Sequence, residues 1–231
     1  MESSIFEVSE SWRKRYPEAF VGILVLTGVS NPTQHSELDK LKAELENKLR
    51  EKYHEFERKD FESLPVMQAY IKYYKQFEKT YHILLQLESV VKKGKSIPRV
   101  AALVESMFMA ELEDMLLTAG HDFDLIQKPI KIDIAKGDEI YLLMRGQEQM
   151  LKAGDMYIAD QKGIISNILY GPDQRTQIRE STKNVIFTVY APPGITKESV
   201  MNHLRNIRHY THIISPDAHT EMIEIFGKTE N

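Results

Sequence analysis

Four consecutive residues, His121, Asp122, Phe123 and Asp124, set an imidazole beside two carboxylates. Such a group could be a site that carries a proton. The run follows a long apolar-periodic stretch, and two readings stand. It is either a polar loop that carries a site, or a turn begun by the aspartates after a Gly120 C-cap. A second group is basic: Lys92, Lys93, Lys95 and Arg99 surround Gly94 and Pro98. They either contact phosphate or place favourable charge at a helix C-terminus. A third group is His203, His209, His212 and His219. His209 and His212 can share a helix face, but no carboxylate stands at an obvious ligand spacing, so no metal is expected. Tyr70, Tyr73, Tyr74, Phe77 and Tyr81 could stack bases. At helical spacing they more simply line a core with their hydroxyls at its rim.

The elements that position these groups follow from periodicity. Val100, Leu103, Val104, Met107, Phe108, Leu112 and Met115 predict one long apolar-faced helix that ends near Gly120. Residues 20–29 read as a buried β-branched strand. Ser36 is the expected cap of a helix whose stripe is Leu38, Leu41, Leu45, Leu49, Tyr53 and Phe56, with a solvated Lys/Glu face. Pro65 opens a further helix, and residues 80–91 form another. After Asp124 the pattern changes. Residues 130–134, 138–144, 155–159, 163–170 and 184–191 read as strands between glycine turns. Thr196 caps a helix over Val200, Leu204 and Ile207, and residues 221–226 give a last strand. The class is α+β, with a helical first half packed on a sheet-rich second half. One domain over residues 1–231 is expected, with a core at 6–226 and frayed ends at 1–5 and 227–231.

Composition narrows the function classes. Apolar residues make up 42% and charged residues 28% of 231 positions, which suits a globular chain. The longest apolar run is too short to span a bilayer, and the first ten residues lack a secretory pattern. No membrane partner and a cytoplasmic location are therefore expected. There is no cysteine, which removes disulfides, thiolate metal sites and thiol nucleophiles. No GxGxxG, phosphate loop, HExxH or GxSxG is present, and no cofactor is expected. The net charge of −4 excludes nucleic-acid binding through bulk positive charge, and DNA is not an expected partner.

Two stretches together resemble the B3/B4 domain family, found in the β subunit of phenylalanyl-tRNA synthetase and as free-standing proteins. The first is IPR…LVES…TAGHDFD, residues 97–124. The second runs from Gly163-Ile164-Ile165 through Asp173-Gln174-Arg175-Thr176 to Ser181-Thr182-Lys183-Asn184-Val185. The order and spacing are most similar to the free-standing members, over about residues 6–226. The resemblance implies a pocket that takes the mischarged aminoacyl end of tRNA and hydrolyses its ester by positioning. It puts His121 at the family's histidine, holding the ester or water.

The rest of the family pocket differs. Phe108 stands where the family has an asparagine, and Thr188 where a glutamate reads the tyrosine hydroxyl. The family's glycine pair falls near Ala159, Asp160 and Gln161. Loss of a charged acceptor argues against tyrosine specificity. Asp160, Gln161, Asn167, Arg175, Thr176 and Thr188 are the expected lining of a remodelled pocket facing His121, with Arg175 and Arg99 on phosphate. The expected function is recognition of tRNA or an aminoacyl-tRNA 3′ end, with hydrolysis of a mischarged amino acid in trans as its enzymatic form. The alternative is a non-catalytic module that binds a free amino acid or metabolite.

Overall fold

Residues 20–27, FVGILVLT, are almost wholly buried and form an inner strand of a four-stranded sheet. The computed structural model describes residues 5–228. In chain order these form β1 Phe6–Val8, α1 Glu10–Arg15, β2 Phe20–Thr27, α2 Ser36–Tyr53, α3 Arg58–Ser63, α4 Pro65–Lys75, α5 His82–Val91 and α6 Ala102–Asp114. There follow β3 Leu117–Asp122, a 3₁₀ turn Phe123–Leu125, β4 Ile130–Ile134, β5 Ile140–Leu142, β6 Glu148–Met150, β7 Met156–Asp160 and β8 Gly163–Asn167. The last elements are β9 Gly171–Pro172, β10 Asn184–Ala191, α7 Lys197–Ile214 and β11 His219–Gly227.

The first sheet is antiparallel, in the order β11-β2-β10-β3. Its central strand β2 is buried on both faces, which explains an unbroken apolar run rather than an alternating one. Gly22 allows α7 to lie close against it: a Cβ there would stand 2.6 Å from Val200 Cγ1. The second sheet has the order β1-β4-β7-β8-β9, with β1 parallel to β4. β5 and β6 form a separate hairpin. One hydrophobic core contains residues from both halves of the chain, among them Trp12, Leu24, Tyr70, Leu103, Ile158 and Phe187. Among the described residues no helix is long and apolar enough to cross a membrane.

Several expectations change. α6 ends at Asp114 rather than near Gly120, because Met115 takes the left-handed conformation (φ 61°) and Leu116-Leu117-Thr118 turns into a strand. Gly120 lies inside β3, and His121 and Asp122 are its buried last residues, not a polar loop. The cap of α2 is His35, whose Nδ1 accepts the Leu38 N–H, not Ser36. The Lys/Glu face of α2 is not wholly solvated. Lys42 is buried against Glu105, and Glu46 accepts the Ile97 N–H at 2.7 Å.

The tyrosine hydroxyls are also not at a rim. Tyr70 donates to the Tyr190 carbonyl at 2.5 Å, Tyr74 to the Ile168 carbonyl at 2.6 Å and Tyr73 to Asp155 Oδ1 at 2.6 Å. Tyr81 donates to the Met115 carbonyl at 2.9 Å. Each ring is buried, so each hydroxyl must find an internal partner. The expected fraying at 1–4 and 229–231 lies outside the described residues. Gly227 is not frayed but pairs with Phe20.

Candidate binding cavity

β3 is the edge strand of its sheet, and its free edge is where a cavity opens. The cavity measures about 550 Å³, within the size range of small-molecule sites. α6 supplies Val104, Met107, Phe108 and Glu111; β3 supplies Leu117 to Gly120; Ile178, Leu169 and Tyr170 close the far side. The wall is predominantly apolar, with a few polar groups set into it.

Those groups have definite orientations. The Thr118 N–H donates to Glu111 Oε1 at 2.8 Å, and the Asp122 N–H to the Thr176 carbonyl at 2.8 Å, both away from β10. Strand alternation sends the Gly120 N–H and C=O, midway between them, off the same edge. Glu111 is 2% exposed, and burial pushes its carboxyl up to about 8. His82 also lines the cavity, and burial lowers its imidazole to about 4, so it is neutral at pH 7. The Thr118 hydroxyl meets His203 Nε2 at 2.7 Å, and His203 Nδ1 meets Asp114 Oδ2 at 2.9 Å. This buried line ties α6 and β3 to α7.

A second cleft of about 320 Å³ shares His82, Gln86 and Phe108 with the first. It runs past Ile97 and Pro98 to Lys95. Lys95 of the basic turn therefore lines a cleft that has Phe108 in common with the main cavity. Lys93 and Lys95 are exposed and carry no ion pair among the described residues. Lys92 is paired with Glu57 at 3.2 Å and Arg99 with Asp39 at 3.0 Å.

Of the residues expected in one pocket, the structure brings only Phe108 and Asn167 to this cavity. The Asn167 amide is engaged with Asp155 Oδ2 at 2.5 Å and with the Leu169 N–H at 3.0 Å. His121 pairs with Ile186 and Thr188 with Ala119, so both side chains leave the same face of the sheet. Both are fully buried there, and neither lines the cavity. The Thr176 hydroxyl donates to Asp173 Oδ1, so His121 donates from Nδ1 to Thr176 Oγ1 at 2.8 Å. His121 Nε2 then points an unpartnered lone pair into protein. Burial, helped by the Arg175 charge, lowers this imidazole to about 3. Arg175 forks the buried Asp160 carboxylate at 3.0 and 2.8 Å. Thr188 donates to the Ala119 carbonyl at 3.3 Å. Gln161 is exposed, with its N–H on the Gln127 carbonyl at 3.0 Å.

Glu111, His82 and Thr118 were not singled out from the sequence, and Gly120 only as a helix C-cap. Glu111 carried a signal: it lies among Met107, Ala110, Leu112 and Met115 in a helix that is buried nearly all round. A carboxylate in such a setting is either paired or faces a cavity.

The fold and the cavity place the chain in a known class of domain. The sequence matches the B3/4 domain over residues 66–224, more than half its length, and the chain belongs to that family. Among solved structures it is similar to an N-terminal fragment of the phenylalanyl-tRNA synthetase β subunit from Pyrococcus horikoshii. The TM-score is 0.50 and the identity 13%, over 97% of this chain and 51% of that fragment. At that identity the likeness concerns the fold. The chain spans about half the fragment's length. No curated protein matches.

Proposed function

We propose that this B3/4-domain protein recognises the aminoacyl end of a tRNA. The apolar cavity receives the amino-acid moiety, and Lys93 and Lys95 meet phosphate at the outer end of the adjoining cleft. The observation that carries this reading is that the two cavities adjoin, with His82, Gln86 and Phe108 lining both. This sets an apolar receptacle next to a cleft that carries the unpaired Lys95, the order of chemistry along an aminoacylated 3′ end. In the enzymatic form of this reading the ester is hydrolysed in trans, with the neutral His82 holding a water. His121 acts from behind the strand, fixing β3 to the 173–176 segment through Thr176.

The test is a panel of mischarged tRNAs, assayed for binding and deacylation with wild type, His82→Ala and His121→Ala. Hydrolysis of one aminoacyl-tRNA that falls with His82→Ala supports the enzymatic form. Binding without hydrolysis leaves a recognition module. Lys93→Ala/Lys95→Ala should weaken tRNA binding and lower its salt slope by about two. Unchanged binding would remove the phosphate contact.

A second reading is a module that holds a free amino acid or metabolite and does no chemistry. The small number of polar groups in the cavity and the net charge of −4 favour it. Affinity that is indifferent to salt, together with no affinity for tRNA, would select it.

A further inference from the structure

The Glu111 carboxyl is the least ordinary group in the cavity. Its Oε1 is occupied by the Thr118 N–H, while Oε2 has no protein partner among the described residues. The side chain is almost fully buried in an apolar wall, where an unpaired carboxyl is costly to retain. Further along the same strand edge the Gly120 carbonyl also turns away from β10. A buried carboxyl oxygen with no partner, in an apolar receptacle with no cation on it, is a receptor for a positively charged donor.

We propose that Glu111 is the ammonium-binding residue of the cavity, which takes a small apolar ligand bearing a primary amine on Glu111 Oε2. This rests on the reading above only in taking an amino-acid moiety as the occupant. The protons balance simply. A neutral carboxyl and an incoming alkylammonium become a carboxylate–ammonium pair, and one proton leaves to solvent. The free carboxyl titrates near 8, so at pH 7 it enters this exchange protonated.

The other titratable groups around it do not supply the missing cation. α4 presents Tyr70 and Tyr74, and Tyr81 precedes α5; all three are buried phenols pushed above their usual range. α5 presents the neutral His82. Lys79 is the one lysine among the lining residues, and its ammonium sits over the Tyr170 ring, 5.2 Å from its centre. From α7, His203 reaches Thr118 and is paired with Asp114.

The experiment is calorimetric titration of the full chain at pH 7 with isobutylamine and 2-phenylethylamine, each beside the alcohol of the same skeleton. Each is run in two buffers of different ionisation enthalpy. The expected result is that one amine binds at least about tenfold tighter than its alcohol, with close to one proton released per amine bound. Glu111→Gln keeps an acceptor for the Thr118 N–H. It should bring the amine down to the alcohol's affinity and abolish proton release. Equal affinity for amine and alcohol, amine binding without proton release, or no amine binding at all would each overturn the proposal. Proton release by wild type does not depend on the variant's folding.

The two readings also fail separately. If tRNA ends bind but amines do not, only the Glu111 assignment falls. If amines bind with proton release but tRNA does not, the aminoacyl-tRNA reading falls and the amine site stands.

Discussion

The Tyr70 hydroxyl donates to the Tyr190 carbonyl at 2.5 Å from the opposite half of the chain. It also accepts the Leu117 N–H at 3.0 Å, and so sits where β10 and β3 begin their pairing. Tyr70→Phe keeps the ring but leaves a buried donor and a buried acceptor unmet. We expect a loss of about 2 kcal/mol in urea unfolding, with an unchanged m-value. A loss below about 0.5 kcal/mol would mean that the strand ends re-pair without the phenol.

Gly22 lets α7 seat on β2. An added methyl would stand 2.6 Å from Val200 Cγ1 and 3.1 Å from Leu204 Cδ1, both fully buried. Gly22→Ala should therefore destabilise by about 1–3 kcal/mol through overpacking. The double variant Gly22→Ala/Val200→Ala should lose less than the two single changes add up to. Additive losses would show that the contact is not the cause.

The raised carboxyl of Glu111 makes stability fall with rising pH. Below the unfolded value near 4.5 both states are protonated and there is no difference. Between 4.5 and about 8 the unfolded chain gives up its proton while the native state keeps it, so folding becomes less favourable. Denaturation midpoints across this window should decline more steeply for wild type than for Glu111→Gln. Parallel profiles would place the Glu111 carboxyl in contact with water.

His121 acts at the other end of the scale. Its imidazole stays neutral in the fold down to about 3, while the unfolded chain takes a proton near 6.5. Stability is whole above 6.5 and is lost as pH falls from there towards 3. His121→Leu should flatten this acid limb, because it removes the proton difference and fills the same buried space. The same slope in both proteins would mean that carboxylates alone govern acid unfolding.

The sequence was most legible where an element's own residues decide it. β10 falls on residues 184–191 as expected, and α7 starts after its Thr196 cap. The stretch after α6 was misread because its apolar residues continue without a break from helix to strand. Leu112, Met115, Leu116 and Leu117 fit either period, and the break comes from one left-handed residue, Met115. The cavity was misplaced for a related reason. His121 is polar and follows a helix, so it read as accessible, but the register with β10 turns it into the core. Glu111 drew no reading from the sequence because helical carboxylates usually lie at the surface. Only the packing of β3 alongside α6 shows it to be inside.

The placement of β2 bears on how the chain is made. Among the described residues its strand partners are β10 and β11, which begin at Asn184 and His219. On a ribosome adding about 5–20 residues per second, the segment FVGILVLT waits roughly 10–30 seconds before its first partner exists. Until then it is an eight-residue apolar strand with both edges open, the kind of segment that chaperones shield and that aggregates when they do not. Shutting off trigger-factor-type holding activity should lower the yield of this protein before it changes the stability of any molecule that has folded.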